Sequence, residues 1–290
     1  MSAASGGYYC PEPSRWPIMG SVGLFVIAIG LANVLHGHGI AWLLFFAGSL
    51  ILAYTLYSWF SEVVRESEAG RYNAQVDRSF RWGMAWFIFS EVLFFAAFFG
   101  ALLYARVFSV PWLSGAGAEE MTNQLLWPGF QASWPLLNLP GSGYDQASGV
   151  IGAWGIPALN TLILVSSGGT VTWAHWGLKQ GNRKHLVNGL IATVALGVVF
   201  LALQVYEFVY AYDALNLKLS SGIYGTTFFM LTGFHGAHVT IGAIMLAVML
   251  FRARAGHFTA ENHFAFEAAS WYWHFVDVVW LCLFVVVYWL

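Results

Sequence analysis

The chain comprises 290 residues, of which 59% are hydrophobic and 9% are charged, and its formal net charge at pH 7 is −2. Soluble domains carry about 25% charged residues, so this composition excludes a soluble protein and predicts one embedded in a lipid bilayer. The net charge argues against nucleic acid as a partner. The two cysteines, Cys10 and Cys282, lie near opposite ends of the chain and do not indicate a disulfide framework. The N-terminal residues lack the basic segment and apolar core of a signal or transit peptide, so we expect neither.

Seven apolar segments are long enough to cross a bilayer as helices, because a spanning helix needs about 20 apolar residues. They cover residues 17–35, 40–64, 81–108, 151–178, 186–211, 221–251 and 264–290. The sequence therefore predicts an all-α membrane protein with seven transmembrane helices. We divide it into an N-terminal segment 1–16, a two-helix bundle 17–64, a cytoplasmic loop 65–80 and a five-helix bundle 81–290 that contains a long outer loop, 109–150.

The distribution of lysine and arginine predicts the orientation, because cytoplasmic loops carry an excess of these residues. Of the 12 lysines and arginines, only Arg106 and Lys218 fall on one side of the predicted topology. The others fall on the opposite side: Arg15, Arg65, Arg71, Arg78, Arg81, Lys179, Arg183, Lys184, Arg252 and Arg254. We expect a cytoplasmic N-terminus and a periplasmic C-terminus, in the inner (plasma) membrane of a bacterium.

One carboxylate interrupts the apolar run 87–100. Glu91 lies about 15 Å along its helix from Arg81, which places it near the bilayer midplane. A charged carboxylate at that depth would cost several kcal/mol, and the sequence offers no cation at the same depth. We therefore expect the Glu91 carboxyl to be protonated at neutral pH and to face the protein interior. The residues leave two roles open, a hydrogen-bonded anchor between helices and a proton relay.

A second set of polar residues lies on the last two predicted helices. His235 and His238 are three residues apart and share a helix face, and His274 and Asp277 have the same spacing. By the same helix geometry as for Glu91, the three histidines lie near the middle of the bilayer. Glu267 lies seven residues before His274 on the same face. We predict hydrogen bonds between helices for these five residues and no metal, because a metal usually takes three or four protein ligands. A general acid–base pair of Glu267 and His274 is the alternative.

Arginines near the cytoplasmic ends of helices predict contacts with phospholipid headgroups. Arg81 and Arg252 both occupy such ends, and a guanidinium group binds phosphate through two hydrogen bonds. Trp59 is placed for the membrane interface, with Arg65 and Glu66 close to it in the sequence. We predict these five residues as the lipid-binding set.

Five long segments together resemble subunit III of haem–copper cytochrome c oxidases. They are WFIFSEVLFF (86–95), PALNTLILVSSGGTVTWAH (157–175), GLIATVALGVVFLALQVYE (189–207), GIYGTTFFMLTGFHGAHVTIG (222–242) and FEAASWYWHFVDVVWLCLF (266–284). The resemblance runs from about residue 8 to the end of the chain and is to the seven-helix form of the family. In that family the first two helices splay from the other five and leave a cleft filled with phospholipid.

The resemblance implies a non-redox subunit of a proton-pumping oxidase. Haem and copper, including the binuclear copper, would reside in partner subunits I and II, and this chain would contribute no catalytic residue. It would pack on subunit I, bind structural phospholipids, and support proton uptake and the stability of the oxygen-reducing site during electron transfer from cytochrome c to O2. Glu91 matches the buried glutamate of the family, which favours an anchoring role.

Two other classes of protein compete with this interpretation. A proton or solute transporter would act alone, but the sequence shows no internal repeat of the kind from which many carriers are built. A haem-binding quinol enzyme would need histidines paired about four turns apart on two helices, and the sequence shows no such pattern.

Overall fold

The computed structural model describes Tyr9 and residues 13–117, 120–141, 143 and 145–290. Within these residues the regular elements are helices, and no strand occurs. Cys10 and most of the predicted N-terminal segment lie outside the described residues. The chain divides into two compact units, Met1–Trp82 and Gly83–Leu290. The finer predicted division into domains stays a prediction, as does the expected lipid-filled cleft.

The first unit contains a hairpin of two long helices, α1 (Trp16–Leu35) and α2 (Ala41–Glu68). Two glycines bring the helices together. A Cβ atom at Gly30 would lie 2.4 Å from the backbone nitrogen of Phe45, and one at Gly48 would lie 2.7 Å from that of Ile27. Small residues at such positions allow close backbone approach between membrane helices.

The connection between α2 and α3 is shorter than the predicted loop 65–80. Helix α2 continues to Glu68, and α3 (Ala74–Tyr104) begins well before residue 81, which leaves residues 69–73 as the link. The Asn73 side chain accepts hydrogen bonds from the backbone nitrogens of Gln75 and Val76, both at 3.0 Å, and so satisfies the free N–H groups of the first turn. The charged residues that indicated a loop belong to polar helix ends.

The second unit is a helical bundle joined by an irregular outer loop. Helix α3 continues from the first unit, extends through a π-helical turn (Ala105–Ser109) and ends in the short α4 (Val110–Leu113). After α5 (Glu120–Leu126) follow α6 (Ile156–Lys179), α7 (Arg183–Asp213), α8 (Gly222–Ala255) and α9 (Phe264–Leu283), the last continued by a π-helical segment (Phe284–Trp289). Helix α6 packs on α7, α7 on α8, α8 on α9, and α9 back on α6.

A single tryptophan holds these four helices together. Trp273 on α9 is fully buried, and its indole nitrogen donates to the Ser167 hydroxyl on α6 at 2.9 Å. Its ring fills the space left by two glycines, Gly197 on α7 and Gly242 on α8. A Cβ atom would lie 2.8 Å from the ring at the first position and 2.9 Å at the second.

Six helical segments in the described part of the chain are long and apolar enough to span a membrane. They are Trp16–Leu35, Ala41–Glu68, Ala74–Leu113, Arg183–Asp213, Gly222–Ala255 and Phe264–Trp289. The predicted all-α membrane architecture is confirmed in these terms. Helix α6, the predicted fourth span, is not among the six because its apolar residues are interspersed with serine, threonine and glycine.

The outer loop is mostly irregular, and part of it is hydrogen-bonded to the segment between α7 and α8. The backbone nitrogen and the hydroxyl of Ser148 both donate to the Leu215 carbonyl, at 2.8 and 3.0 Å. The Asn216 amide donates to the Gln146 carbonyl at 2.9 Å, and Ser220 donates to Asp145 at 2.6 Å. Glu119 lies outside the described residues.

Candidate functional site

Glu91 on α3 and His238 on α8 form a hydrogen-bonded pair inside the second unit. The Glu91 Oε2 atom lies 2.7 Å from His238 Nε2. Only 21% of the Glu91 side chain and 12% of the His238 side chain are exposed. The other ring nitrogen, Nδ1, lies 2.6 Å from the backbone carbonyl oxygen of Phe234 on the preceding turn. Both ring nitrogens of His238 are therefore engaged.

These contacts determine how many protons the pair holds. The Phe234 carbonyl can only accept a hydrogen bond, so His238 Nδ1 carries a proton. One further proton then occupies the bond between Nε2 and Oε2. If it belongs to Glu91, both side chains are neutral, and if it belongs to His238, the two form an ion pair. In either form the pair as a whole carries no net charge, which is the condition for burial at membrane depth.

Aromatic rings surround the pair. The ring of the buried Phe95 lies 4.9 Å from the His238 ring, and Phe94 lies 5.8 Å from it. Phe275 and Tyr272 of α9 approach the same ring at 6.4 Å. Such surroundings exclude water and strengthen a hydrogen bond, because little solvent competes for its donor and acceptor.

The Glu91–His238 contact differs from what the sequence predicted for both residues. His238 was expected to bond between the last two helices, and no cation was expected at the depth of Glu91. In the structure His238 contacts α3 instead. Of its own residues, α3 buries only Phe95 and Leu102. The sequence placed the two side chains at a similar depth in the membrane, which allowed them to meet. Depth alone does not show which helices are neighbours.

His235 makes the predicted kind of contact between α8 and α9. It is fully buried, and its Nε2 donates to the Val276 carbonyl oxygen at 3.2 Å. The ring lies between Phe200 and Trp280, at 5.7 and 5.1 Å. Nδ1 is buried without a hydrogen-bond partner. Because the carbonyl accepts the only hydrogen bond of the ring, the geometry describes a neutral imidazole that links two helices.

The remaining predicted network residues form separate sets. His274 Nδ1 lies 3.5 Å from Asp277 Oδ2 on the same helix, and its Nε2 lies 3.4 Å from the Thr172 hydroxyl on α6. Glu267 lies in the first turn of α9 and interacts electrostatically with His175. The five residues are thus distributed over several neighbouring helix pairs. Among the described residues, no group of three or more His, Cys, Asp or Glu side chains could hold a metal ion.

The sequence matches the family model for cytochrome c oxidase subunit III over residues 7–118 and 125–290. The chain belongs to the cytochrome c oxidase subunit III family. It is 41% identical to cytochrome c oxidase subunit 3 of Scyliorhinus canicula over 283 residues, which cover 97% of this chain and 96% of the relative. It is 40% identical to the protein of the same name from Sus scrofa over 292 residues, covering 100% of this chain and 99% of the relative.

The subunit III assignment confirms the resemblance read from the five sequence segments. The chain is also 40% identical to cytochrome c oxidase subunit 3 of Lumbricus terrestris over 283 residues, which cover 97% of both chains. The internal stretch that the family model leaves unmatched, residues 119–124, falls in the outer loop, at the beginning of α5. The Glu91–His238 pair lies within matched segments.

Four of the predicted lipid-binding residues of this subunit III chain lie in the first unit. The Arg81 guanidinium pairs with Asp77 at 2.8 Å, and Arg65 Nε donates to the Ser61 carbonyl at 3.3 Å. Trp59 is 48% exposed and stacks on Phe60. These side chains belong to the ends of α2 and α3 that meet at the 69–73 link.

Glu66, the fourth of these residues, takes part in a separate polar contact. It accepts a hydrogen bond from the Tyr72 hydroxyl at 2.7 Å, and Arg71 lies 4.0 Å from it. Partial burial, together with the Glu66 carboxylate, raises the pKa of Tyr72 above its ordinary value. Tyr72 therefore stays a hydrogen-bond donor to Glu66 throughout the neutral range.

Arg252, the fifth predicted lipid-binding residue, lies at the end of α8 in the second unit. Its guanidinium lies over the Phe258 ring, 4.8 Å from the ring centre. Such a cation–π contact orients the side chain at the end of the helix.

One buried carboxyl of the subunit is not among the site residues predicted from the sequence. Glu207 on α7 is 1% exposed, and it accepts a hydrogen bond from the Tyr288 hydroxyl at 2.5 Å. Tyr288 lies in the π-helical continuation of α9. The two residues are 81 positions apart in the sequence. Periodicity placed both in helices but could not show that they meet.

Proposed function

We propose that this chain is the non-redox subunit III of a proton-pumping cytochrome c oxidase. In this role it packs on subunit I, holds structural phospholipids, and supports proton uptake and the stability of the oxygen-reducing site while electrons pass from cytochrome c to O2. Its contribution to the enzyme is structural and electrostatic, and the redox chemistry belongs to the partner subunits. The observation that carries the proposal is the Glu91–His238 pair within a full-length family match.

The Glu91–His238 pair is suited to anchoring α3 in the bundle. Helix α3 buries few side chains of its own, so a charge-neutral hydrogen bond of 2.7 Å is a large part of its polar attachment to α8. The pair also holds one proton at a fixed position. A shift of that proton from Oε2 to Nε2 converts the neutral pair into an ion pair, so the net charge stays the same while the local dipole changes.

We propose that haem and copper, including the binuclear copper, are bound by subunits I and II. Both ring nitrogens of His238 are engaged, by Glu91 and by the Phe234 carbonyl. His235 donates to Val276 and lies enclosed between aromatic rings. These contacts support a role for the membrane histidines in joining helices.

We propose that phospholipid headgroups of one leaflet contact the five predicted residues, Trp59, Arg65, Glu66, Arg81 and Arg252. The Arg81 side chain, which pairs with Asp77, is 35% exposed. Arg252 lies over Phe258 at the end of α8. Exposed aromatic side chains such as Trp59 favour the interface where headgroups meet the acyl chains.

We propose that α6 also crosses the membrane, which brings the number of spans to seven. Its 24 residues extend about 36 Å, which exceeds a hydrocarbon core of about 30 Å. Two polar side chains in its first half, Asn160 and Ser167, face protein, since both are 0% exposed. Seven spans place ten of the 12 lysines and arginines on one face, with the N-terminus in the cytoplasm and the C-terminus in the periplasm of a bacterium.

Purification in mild detergent tests the proposal. An oxidase subunit co-purifies with two larger redox partners and retains no haem once it is separated from them. Movement of a solute by the chain alone in liposomes would favour a transporter instead. A haem absorption band from the isolated chain would favour a haem-binding quinol enzyme.

A further inference from the structure

A polar cluster lies where the end of α7 meets the π-helical continuation of α9. The Glu207 carboxyl accepts the Tyr288 hydroxyl proton at Oε1, and its second oxygen, Oε2, is buried without a hydrogen-bond partner. Gln204, one turn earlier on α7, is 3% exposed and lies near the same hydroxyl. Its amide oxygen and nitrogen are also buried without hydrogen-bond partners. Three polar atoms of these two side chains therefore lack a partner among the described residues.

Asn160 of α6 lies at the same level of the bundle. Helices α6 and α7 run antiparallel, and the hydroxyls of Thr170 and Thr193 lie 2.7 Å apart between them. Asn160 lies ten residues before Thr170, and Gln204 lies eleven residues after Thr193, so both are roughly 15 Å from this contact in the same direction. Asn160 is 0% exposed, and its amide oxygen and nitrogen are both buried without hydrogen-bond partners.

A tryptophan of α9 connects the position of Asn160 to the cluster. The Trp280 indole nitrogen donates to the hydroxyl of Thr161, the residue after Asn160, at 2.9 Å. The Trp280 ring also lies 5.9 Å from the Tyr288 ring. Asn160 therefore borders the same enclosed region as the cluster, and the region contains five buried polar atoms without partners.

The chemistry of these five atoms defines the ligand that fits them. Asn160 and Gln204 each present an amide N–H group that needs an acceptor and an oxygen that needs a donor. A metal cation would bind oxygens alone and would leave both amide nitrogens without acceptors. Water both donates and accepts, and a buried water molecule makes about three hydrogen bonds to groups of this kind.

We propose that Asn160, Gln204 and Glu207 form an internal binding site for water. The bound water joins α6 to α7, and Tyr288 extends the network to the π-helical segment after α9. Such segments are frequent at functional sites. The inference goes beyond the proposed function, because it concerns a ligand held within this chain and not its place in the oxidase.

X-ray radiolysis of the intact oxidase complex tests the proposal. The beam splits water into hydroxyl radicals, and radicals from bound water oxidise the side chains beside it. Tyr272 is the matched control, since it is 2% exposed and Tyr288 is 8% exposed. By peptide mass spectrometry we expect Tyr288 to be oxidised about tenfold faster than Tyr272, because only Tyr288 borders the water site. A radical scavenger in the bulk solution should lower the oxidation of Met121, which is 63% exposed, and leave that of Tyr288 unchanged.

A double variant, Asn160→Leu with Gln204→Leu, removes both amides and keeps side chains of similar size. Oxidation of Tyr288 should then fall to the rate of Tyr272. Thr193→Val is the control, because Thr193 is fully buried but already bonded to Thr170, and it should keep the wild-type rate. The melting temperature of each complex shows whether its fold is retained. The comparison of two tyrosines in the wild type tests the proposal even where the double variant does not assemble.

Equal oxidation of Tyr288 and Tyr272 in the wild type would overturn the water site, as would an unchanged Tyr288 rate in a folded double variant. A density map of the complex provides a second test, in which we expect a water peak within hydrogen-bond distance of Glu207 Oε2. A direct bond from either amide to that oxygen would contradict the proposal. Anomalous scattering at the site after exchange of sodium for thallium would assign it to a cation instead.

Discussion

Glu91 and His238 lie 147 positions apart in the sequence, yet their side chains share one proton across 2.7 Å. The Phe234 carbonyl fixes the proton on the opposite ring nitrogen, so the pair has no net charge whichever side chain holds the shared proton. An isolated carboxylate at this depth would be far less stable. The pair thus explains how an apolar run of α3 can accommodate a glutamate.

Replacing Glu91 by glutamine should preserve the pair. The Gln amide can donate to His238 Nε2, so we expect the complex to assemble and proton-coupled turnover to slow only modestly. Glu91→Ala leaves the ring nitrogen without its partner and should destabilise the chain by about 1–3 kcal/mol. Thermal unfolding and oxygen-consumption measurements on the purified complex check both variants.

Infrared difference spectra decide where the shared proton lies. We expect a protonated-carboxyl band in the wild type that is missing in Glu91→Gln, because the neutral form avoids separated charges in apolar surroundings. A carboxylate band at neutral pH would assign the proton to His238. Complete loss of oxygen reduction in an assembled Glu91→Gln complex would show that the residue is an obligatory proton carrier.

A hydrophobic carbodiimide should modify Glu91 more than any other residue of the chain. The reagent enters the membrane and attacks protonated carboxyls. The Glu91 side chain is 21% exposed, whereas Glu207 is 1% exposed and bonded to Tyr288. Peptide mass spectrometry after labelling measures the ratio. Preferential labelling of Glu207 would contradict the accessibility that the structure describes.

Adding a methyl group at either glycine beside Trp273 should destabilise the bundle. In Gly197→Ala and Gly242→Ala the new Cβ would lie 2.8 and 2.9 Å from the ring, and overpacking of a dense core costs about 1–3 kcal/mol. Gly236→Ala is the control, because its Cβ would meet nothing within 4 Å. The control should match or slightly exceed the wild-type melting temperature, since alanine favours helix over glycine.

Removing the two arginines from the lipid-binding set should lower the amount of tightly bound anionic phospholipid. We expect the double variant Arg81→Ala with Arg252→Ala to retain less lipid in native mass spectra than the wild type, because phosphate binding uses guanidinium donors. Arg106→Ala, on the opposite predicted face and next to Trp134, is the control. Equal lipid retention in the two preparations would place the headgroups elsewhere.

The Tyr72–Glu66 contact predicts a loss of stability at alkaline pH. Burial and the Glu66 carboxylate raise the pKa of Tyr72 above its ordinary value of 10.0, so the folded state binds the phenol proton more tightly than the unfolded state. The stabilisation is complete below the ordinary pKa and is lost as the pH rises through the raised one. Between about pH 9 and about pH 11, the melting temperature of Tyr72→Phe should therefore fall by less than that of the wild type.

Tyr57→Phe is the control for the alkaline melting series, because Tyr57 is 76% exposed. It should follow the wild-type curve. Identical curves for Tyr72→Phe and the wild type would exclude a contribution of this contact to the pH dependence.

The sequence by itself determined the membrane class, the helices and the family. Hydropathy and helix propensity are local properties, so the spans could be located to within a few residues at most ends. The exceptions have physical reasons. Helix α3 begins early because Asn73 caps a polar first turn. Helix α6 has a low mean hydropathy because it contains several polar residues. The bundle accommodates them because they, Ser167 among them, bond to neighbouring helices.

Only the tertiary structure decided which deep polar residues meet. The sequence placed Glu91, His238 and His274 at similar depths, but depth does not fix the rotation of a helix or the identity of its neighbours. Packing fixes both, as the ring of Trp273 does where it fills the space left by Gly197 and Gly242. Once α6 to α9 are arranged around that ring, His274 faces Thr172, 102 positions away, and His238 turns toward α3 and Glu91.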